Sequence, residues 1–322
     1  MKAVRSITIL ALGLAAASAQ AVAQSWPTKP LKAIVPIAAG SLTDIVPRIV
    51  LEQVSKQLNQ SIVVENRPGA GQTTGVGVVA QADPDGYTLL ANSSAHTIAP
   101  AFYPNLNYHP GRDLAAVAPL GVSPFVLVVS PDRGFKTARD LVAAAKAKPG
   151  AFNFASPGVG SASHLSAERF RLSAGVQAVH VPFKGGAEAM TEVIAGRIDF
   201  FFVALGAALP LIRDGKLAAL AVNGAARSTA LPDVPTIHEA GFNNAEYPTW
   251  FGLFVPAKAP RAIVDRLQRE TVKALQEPKV KDRLAALGVD PMTLTPAEFD
   301  ALVQKEIALN AALVKAIGLK PQ

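Results

Sequence analysis

Twice in this chain an apolar run stops at a cluster of small residues that leads straight into a helical pattern, and nothing else restricts the fold as much. In Asn153–Leu165, Phe154 and Ala155 close a short buried strand. Ser156, Pro157, Gly158, Gly160, Ser161, Ala162 and Ser163 then form a tight turn that leaves main-chain N–H groups uncovered. A helix is expected from about His164, because Leu165, Arg169 and Leu172 recur at helical spacing and nothing breaks the pattern before Gly175. About 120 residues earlier the same order appears: the strand Leu31–Pro36, the turn Ile37–Asp44 with Ala38, Ala39, Gly40, Ser41 and Thr43, and the helix Ile45–Leu58. The first N–H groups of a helix have no internal partner and carry the positive end of its dipole, so each turn favours an anion. Two such turns can close on one ligand from opposite sides. Within the second, Ser161 or Ser163 reads equally well as a helix cap.

The N-terminus reads as an export signal. Lys2 and Arg5 precede the apolar run Ile7–Ala17, and Ala21-Val22-Ala23 has the form of a cleavage site, so the mature chain is expected to begin at Gln24 in a bacterial periplasm. No later stretch has the roughly 18 uninterrupted apolar residues of a membrane helix. Some 300 remaining residues exceed one compact core and point to two lobes. With no cysteine there is no disulfide and no thiol chemistry. The formal charge of +7 falls by two when Lys2 and Arg5 leave, and the remaining cations are scattered without interleaved aromatics, which fits small anions better than nucleic acid.

Signatures of catalysis and of cofactors are missing. The five histidines show no metal-ligand spacing, so no metal is expected. There is no G-x-S-x-G elbow, and Gly215-Lys216 runs into Leu217 without a phosphate-binding loop. Gly69, Gly71 and Gly75 do not have dinucleotide-loop spacing, so no cofactor is expected either. Three smaller features bear on binding. Asp44 falls in a first helical turn, four residues before Arg48, and reads as an ion pair more readily than as an acceptor for a ligand hydroxyl. Ser94 lies in the polar run Asn92–His96 at the carboxyl end of a strand, where open α/β sheets bind ligands. Lys184, in the glycine turn of Val179–Gly186, is a candidate counter-charge or a plain surface lysine. Phe183, Phe202 and Trp250 read as core more readily than as walls for an aromatic ring.

The turn V-P-I-A-A-G-S-L-T-D, the loop N-R-P-G-A-G, P-D-G-Y-T-L-L, G-V-G-S-A-S-H-L, V-P-F-K-G-G, A-G-R-I-D, L-P-D-V-P-T, E-A-G and W-F-G-L occur in this order across nearly the whole chain. Together they resemble the tripartite tricarboxylate transporter receptors, also called Bug proteins. That resemblance implies an α/β chain with a type II periplasmic-binding-protein fold, its two lobes joined by two crossing segments. Lobe 1 would comprise 24–122 and 250–322, lobe 2 residues 123–249, and Val117–Val129 would carry one crossing. It also implies a monomeric receptor that passes a small carboxylate to large and small membrane permease subunits. By position, the ligand set would be Pro36, Ala38, Ala39, Gly40, Ser41, Thr43 and Asp44 from one turn. From the other it would be Ser156, Gly158, Gly160, Ser161, Ser163 and His164, with Pro182, Phe183 and Lys184 beside them. Two departures stand out: Ala39-Gly40-Ser41 where consecutive glycines are common, and Gln72 after Gly71 where a further glycine is common. Competing expectations are a secreted α/β enzyme acting on a small organic acid, and a receptor whose liganded form signals to a membrane sensor kinase.

Overall fold

The computed structural model describes residues 26–247 and 249–319; the expected signal at 1–23 and the start at Gln24 lie outside them. The first unit alternates strand and helix. β1 (Leu31–Val35), α1 (Leu42–Leu58), β2 (Ile62–Asn66), α2 (Thr73–Ala80), β3 (Thr88–Ser93), α3 (Ala99–Phe102) and β4 (Leu114–Ser123) follow in order. β1 pairs in parallel with β2 and β3. Ala33, Ile34 and Val35 are almost fully buried, as expected of a parallel strand covered on both faces. α1 begins three residues before the expected Ile45. Gly40 takes φ +97° to make the turn, and Ser41 in extended conformation starts the helix ahead of Leu42-Thr43-Asp44.

After Pro124 the chain enters a second sheet through β5 (Phe125–Val129). Next come α4 (Ala138–Ala147), β6 (Phe152–Ser156), α5 (Ala162–Ala174), β7 (Ala178–Pro182), α6 (Gly186–Ile194), β8 (Phe200–Ala204), α7 (Leu205–Arg213) and β9 (Ala218–Val222). An irregular stretch leads back to β10 (Thr249–Pro256), and α8 (Arg261–Gln276), α9 (Pro278–Ala286) and α10 (Pro296–Ala316) finish the described chain. α3 and α7 were not foreseen: α3 is a single turn, and Gly206 and Pro210 obscure the helical pattern of α7. Val117–Val129, expected only as a crossing, is strand on both sides of Pro124.

The two five-stranded sheets have matching orders, β2-β1-β3-β10-β4 and β7-β6-β8-β5-β9. In each, the fourth position is held by an antiparallel strand that arrives from the other unit, β10 in the first sheet and β5 in the second. Apolar clusters cover both faces of both sheets. Val46, Val50 and Leu267 pack on one face of the first, and Trp250, Phe254 and Phe299 on the other. Phe154, Phe170 and Phe202 cover one face of the second, Phe201, Val193 and Leu209 the other. On α5 the buried face is formed by Leu165, Ala167 and Phe170, while Leu172 is 44% exposed, so it does not belong to the apolar stripe.

Between the sheets the backbones approach closely. Asp290 bridges to Val122 through main-chain hydrogen bonds of 2.9 and 2.8 Å, while its carboxylate accepts from the hydroxyls of Ser228 (2.9 Å) and Thr229 (2.6 Å) in the returning stretch. Gly206 of α7 lies against the turn after α9: a Cβ added there would sit 2.4 Å from the Leu287 carbonyl oxygen. Because the obstacle is backbone, Gly206→Ala is expected to destabilise the protein by about 1–3 kcal/mol. Urea unfolding checks this; an unchanged midpoint would show that the two units are not held together at this point.

Candidate functional site

The carboxyl ends of β1, β3 and β6 open on a cavity of about 500 Å³. Thr43, Gly71, Gln72, Ser93, Ala95, Ile98, Ala99, Phe102 and Tyr103 form its wall on the first unit, 157–162 on the second, and Thr249 on the returning strand. This is where open α/β sheets place ligands.

The two glycine turns meet this cavity with one construction. In Gly40-Ser41-Leu42-Thr43-Asp44 the Gly40 N–H donates to Asp44 Oδ2 at 3.0 Å. In Gly160-Ser161-Ala162-Ser163-His164 the Gly160 N–H donates to His164 Nδ1 at 3.1 Å. A side chain in the first helical turn therefore holds the preceding glycine in place. Asp44 also accepts from Arg48 Nε and Asn66 Nδ2, each at 2.9 Å, and Asn66 Nδ2 reaches the Ile37 carbonyl at 2.9 Å. Burial works to raise the Asp44 carboxyl, but the hydrogen bonds from Asn66, Gly40 and Arg48 and the charge of Arg48 outweigh it and hold its pKa below the ordinary value. Both Asp44 oxygens are thus engaged within the protein, in the ion pair its spacing implied.

Ser161 is the N-cap of α5. Its Oγ accepts from the His164 N–H at 3.2 Å, which leaves the hydroxyl proton free to turn toward the cavity. Ser41 holds the same position at α1 but makes no cap bond, and its Oγ is enclosed without a hydrogen-bond partner. Ser163 turns inward and donates to the Phe202 carbonyl at 2.5 Å. Ser156 is fully buried; its Oγ lies 2.7 Å from His180 Nε2 and donates to the Gly158 carbonyl at 2.9 Å.

Of the residues singled out from the sequence, the cavity wall therefore contains Thr43, Gly158, Gly160 and Ser161. Ala38, Ala39 and Gly40 are exposed beside it, and Pro36 is buried against Gly75. Ser94 is buried behind Ser93 and Ala95, with its Oγ unpartnered. Pro182, Phe183 and Lys184 lie off the wall: the Phe183 N–H donates to the Ser156 carbonyl at 2.8 Å, and the Lys184 N–H donates to Glu188 at 3.2 Å. Phe202 and Trp250 are fully buried in the cores, as read from the sequence. Phe102, Tyr103, Ile98 and Thr249 escaped the sequence reading, because short turns and a strand end carry no periodic signal. Gln72 had been visible only as a departure from a glycine pattern.

Under the second turn His164 stacks on His180 with ring centres 3.9 Å apart. Burial first, then the repulsion His180 exerts once protonated and the charge of Arg171, hold His164 down at about 4, and burial lowers His180 as well. Glu168 lies 3.7 Å from His164 Nε2, but Arg171 engages that carboxylate at 2.7 Å, which limits its pull on the imidazole. At neutral pH both rings are uncharged, and the described wall of the cavity contains no ionisable side chain other than Tyr103.

A larger open groove of about 1380 Å³ runs between α5, the 225–246 stretch and α10. Several of its charged groups are engaged within the protein: Arg227 with Glu239 (2.8 Å), His238 with Glu246 (3.3 Å), and Arg169 with the Glu246 carbonyl (2.5 Å). Burial raises the Glu306 carboxyl there to about 7, while Trp250 Nε1 donates to both its oxygens at 3.0 Å. Neither glycine turn reaches it, so its size does not make it the binding site.

Two mixed sheets facing one another across a cleft, with helix N-termini converging from both, define a two-lobed solute-binding protein. The comparisons agree. A family model described as the tripartite tricarboxylate transporter family receptor matches residues 46–319, and the chain belongs to that family. It is 33% identical to Protein BugT of Bordetella pertussis over 324 residues, covering 99% of each chain. Among solved structures, the periplasmic binding protein BugD aligns with a TM-score of 0.73 at 31% identity, covering 92% of this chain and all of that one. MatC from Rhodopseudomonas palustris with bound malate aligns with a TM-score of 0.72 at 32% identity, covering 90% and 100%. The family is one of solute receptors, and among the described residues no helix is long and apolar enough to cross a membrane.

His164 yields a pH test. Its folded pKa lies below that of a free histidine, near 6.5, so the unfolded chain takes up the proton first as pH falls. Stability is complete above about 6.5 and declines toward the folded value near 4, by about 3 kcal/mol at most. Urea unfolding between pH 6.5 and 5 reads this loss as the difference between the parent protein and His164→Gln, because Glu306, raised to about 7, adds stability as pH falls through the same range. His164→Gln keeps an acceptor for Gly160 and should remove the His164 share of the pH dependence, leaving the shares of His96, His180 and Glu306. An unchanged slope would exclude His164 as a source.

Proposed function

We propose that this receptor captures a small carboxylate in the cavity between its two lobes and delivers it to the large and small membrane subunits of a tripartite permease. Lobe 1 comprises 24–122 and 250–322 and lobe 2 residues 123–249; the crossings at Pro124 and in the stretch before Thr249 form the hinge. A leader at 1–23, removed after Ala23, takes the chain to the periplasm, where it works as a monomer. The observation that carries the reading is the convergence of two helix starts, at Thr43 and at Ser161–Ala162, on one cavity with no carboxylate among the described residues of its wall. Each dipole contributes about 0.3–2 kcal/mol to an anion, and each hydrogen bond to a charged group about 1.5–3 kcal/mol. Micromolar affinity needs about 8 kcal/mol in all, so a few such donors suffice without an arginine clamp. The malate held by MatC is a carboxylate, which supports the same ligand class for this chain.

A thermal-shift screen against aliphatic, aromatic and amino-acid carboxylates tests this. A ligand at about 100 times its Kd adds roughly 2.7 kcal/mol and raises the Tm by several degrees. Ser161→Asp then separates folding from binding. Aspartate caps a helix as well as serine does, so unliganded stability should hold, whereas a negative charge at the cavity should abolish the shift. A variant that still binds the acid at full affinity would place the ligand elsewhere.

A further inference from the structure

We infer that Gln72 sets specificity in this cavity, and that among small carboxylates it selects those carrying a hydroxyl group, whatever their number of carboxylates. The inference rests on the carboxylate reading above and narrows it. Gln72 stands on the cavity wall, at the place where a further glycine is common in this family. Its backbone keeps a glycine conformation, φ +80° and ψ −8°, which a residue with a Cβ adopts only against strain. Nothing in the local structure offsets that strain. Gln72 precedes α2 as its N-cap, but its side chain makes no cap bond. The loop is held by other groups: the Gln72 N–H donates to the Gly69 carbonyl at 2.9 Å, and Thr73 Oγ1 donates to the Ala70 carbonyl at 2.8 Å. Gly75 is pressed onto the same loop, where an added Cβ would lie 2.6 Å from the Arg67 carbonyl oxygen. The side chain of Gln72 is therefore not spent on structure, and its Oε1 is enclosed without a hydrogen-bond partner. A buried amide oxygen in that state calls for a donor from elsewhere.

The surrounding chemistry decides what kind of donor fits. Thr249, also on the wall, has its Oγ1 enclosed and unpartnered too, and so does Ser94 behind the wall. These are amide and hydroxyl groups, and the described wall carries no carboxylate. An ammonium on the ligand would have no counter-charge there, whereas a hydroxyl donates to one neighbour and accepts from another. A carboxamide presents its oxygen or its NH2 at one point by a half-turn of its terminal bond, and a hydroxyl is complementary to both. A plain hydrocarbon at that point would leave the amide unpartnered. The helix starts bind the carboxylate of either acid, so the discrimination falls to Gln72.

The test is calorimetric titration of the processed protein, purified from periplasm, with acids paired to differ by one hydroxyl: lactate against propanoate, malate against succinate, citrate against tricarballylate, and mandelate against phenylacetate. In every pair that binds, the hydroxy acid is expected to bind about ten-fold tighter or more, the effect of one buried hydrogen bond made or lost. Gln72→Gly removes the carboxamide and suits the left-handed backbone, so the unliganded variant should keep a Tm close to the parent's. In that variant the hydroxy acid should lose its advantage while the plain acid binds as before. A role confined to shaping the loop would weaken both members alike and leave their ratio unmoved, which would overturn the inference. Equal binding of both members by the parent protein would overturn it as well, and either result leaves the receptor reading intact. Binding of none of these acids would remove the inference together with the carboxylate reading.

Discussion

The candidate site depends on two helix starts, whose first N–H groups have no intrahelical partner, and on the turns in front of them being held in place. A flexible glycine turn would fold back and satisfy those groups itself. Here Gly40 and Gly160 are each tied to a side chain four residues on, Asp44 in one lobe and His164 in the other. The acceptors differ in chemistry but do the same thing: each takes a glycine N–H and so fixes the turn in front of the helix in whose first turn it sits. Asp44 needs Arg48 and Asn66 to remain ionised so close to an anion site. His164 needs burial and its partner His180 to remain neutral. The net result is a cavity whose positive character comes from oriented peptide dipoles rather than from a formal charge.

That electrostatic choice has consequences for recognition. A lysine or arginine in the cleft would attract any anion, including polyvalent ones, and would carry its own desolvation cost when the cleft closes. Dipoles fixed by the fold need no reorganisation when the ligand arrives. They act over a short range, within the first helical turn, so selectivity falls to the remainder of the wall. In this chain that wall is Ile98, Phe102, Tyr103 and Val159 with a few neutral polar groups.

The lobes are related by the same economy of construction. Each sheet accepts one antiparallel strand from its partner, so the crossings are part of both sheets rather than loose linkers. Asp290 fastens Val122 to the returning stretch at Ser228 and Thr229, and the near contact of Gly206 with Leu287 leaves no room for a side chain. A smaller apolar cluster, with Ile98 and Phe102 from one unit, Leu165 from the other and Leu313 from α10, packs immediately beside the cavity. Cavity wall and inter-lobe contact therefore share residues, Ile98 and Phe102.

Most of the strands and helices and the two glycine turns were readable from the sequence because each rests on a local rule: apolar runs, helical periodicity, and small residues where the backbone must turn; β4 and β5 were not, because Pro119, Gly121 and Pro124 break the apolar run that contains them. The pairing of Asp44 with Arg48 followed from spacing alone, and the family likeness from motifs in order. What the sequence could not show was direction. Ser161 and Ser163 lie two residues apart in one turn, yet one faces the cavity and the other donates to the Phe202 carbonyl, a strand that arrives some 40 residues later. Lys184 sits in a glycine turn like the others but ends off the wall, because β7 lies at the sheet edge, outside β6. Phe102 and Tyr103 come from a single helical turn with no periodic signature, and only the meeting of the two lobes makes them walls of one cavity. Local composition decides which segments become strands, turns and helix starts; which side chains face the ligand is set by contacts between segments far apart in the chain, and those exist only once both sheets have formed.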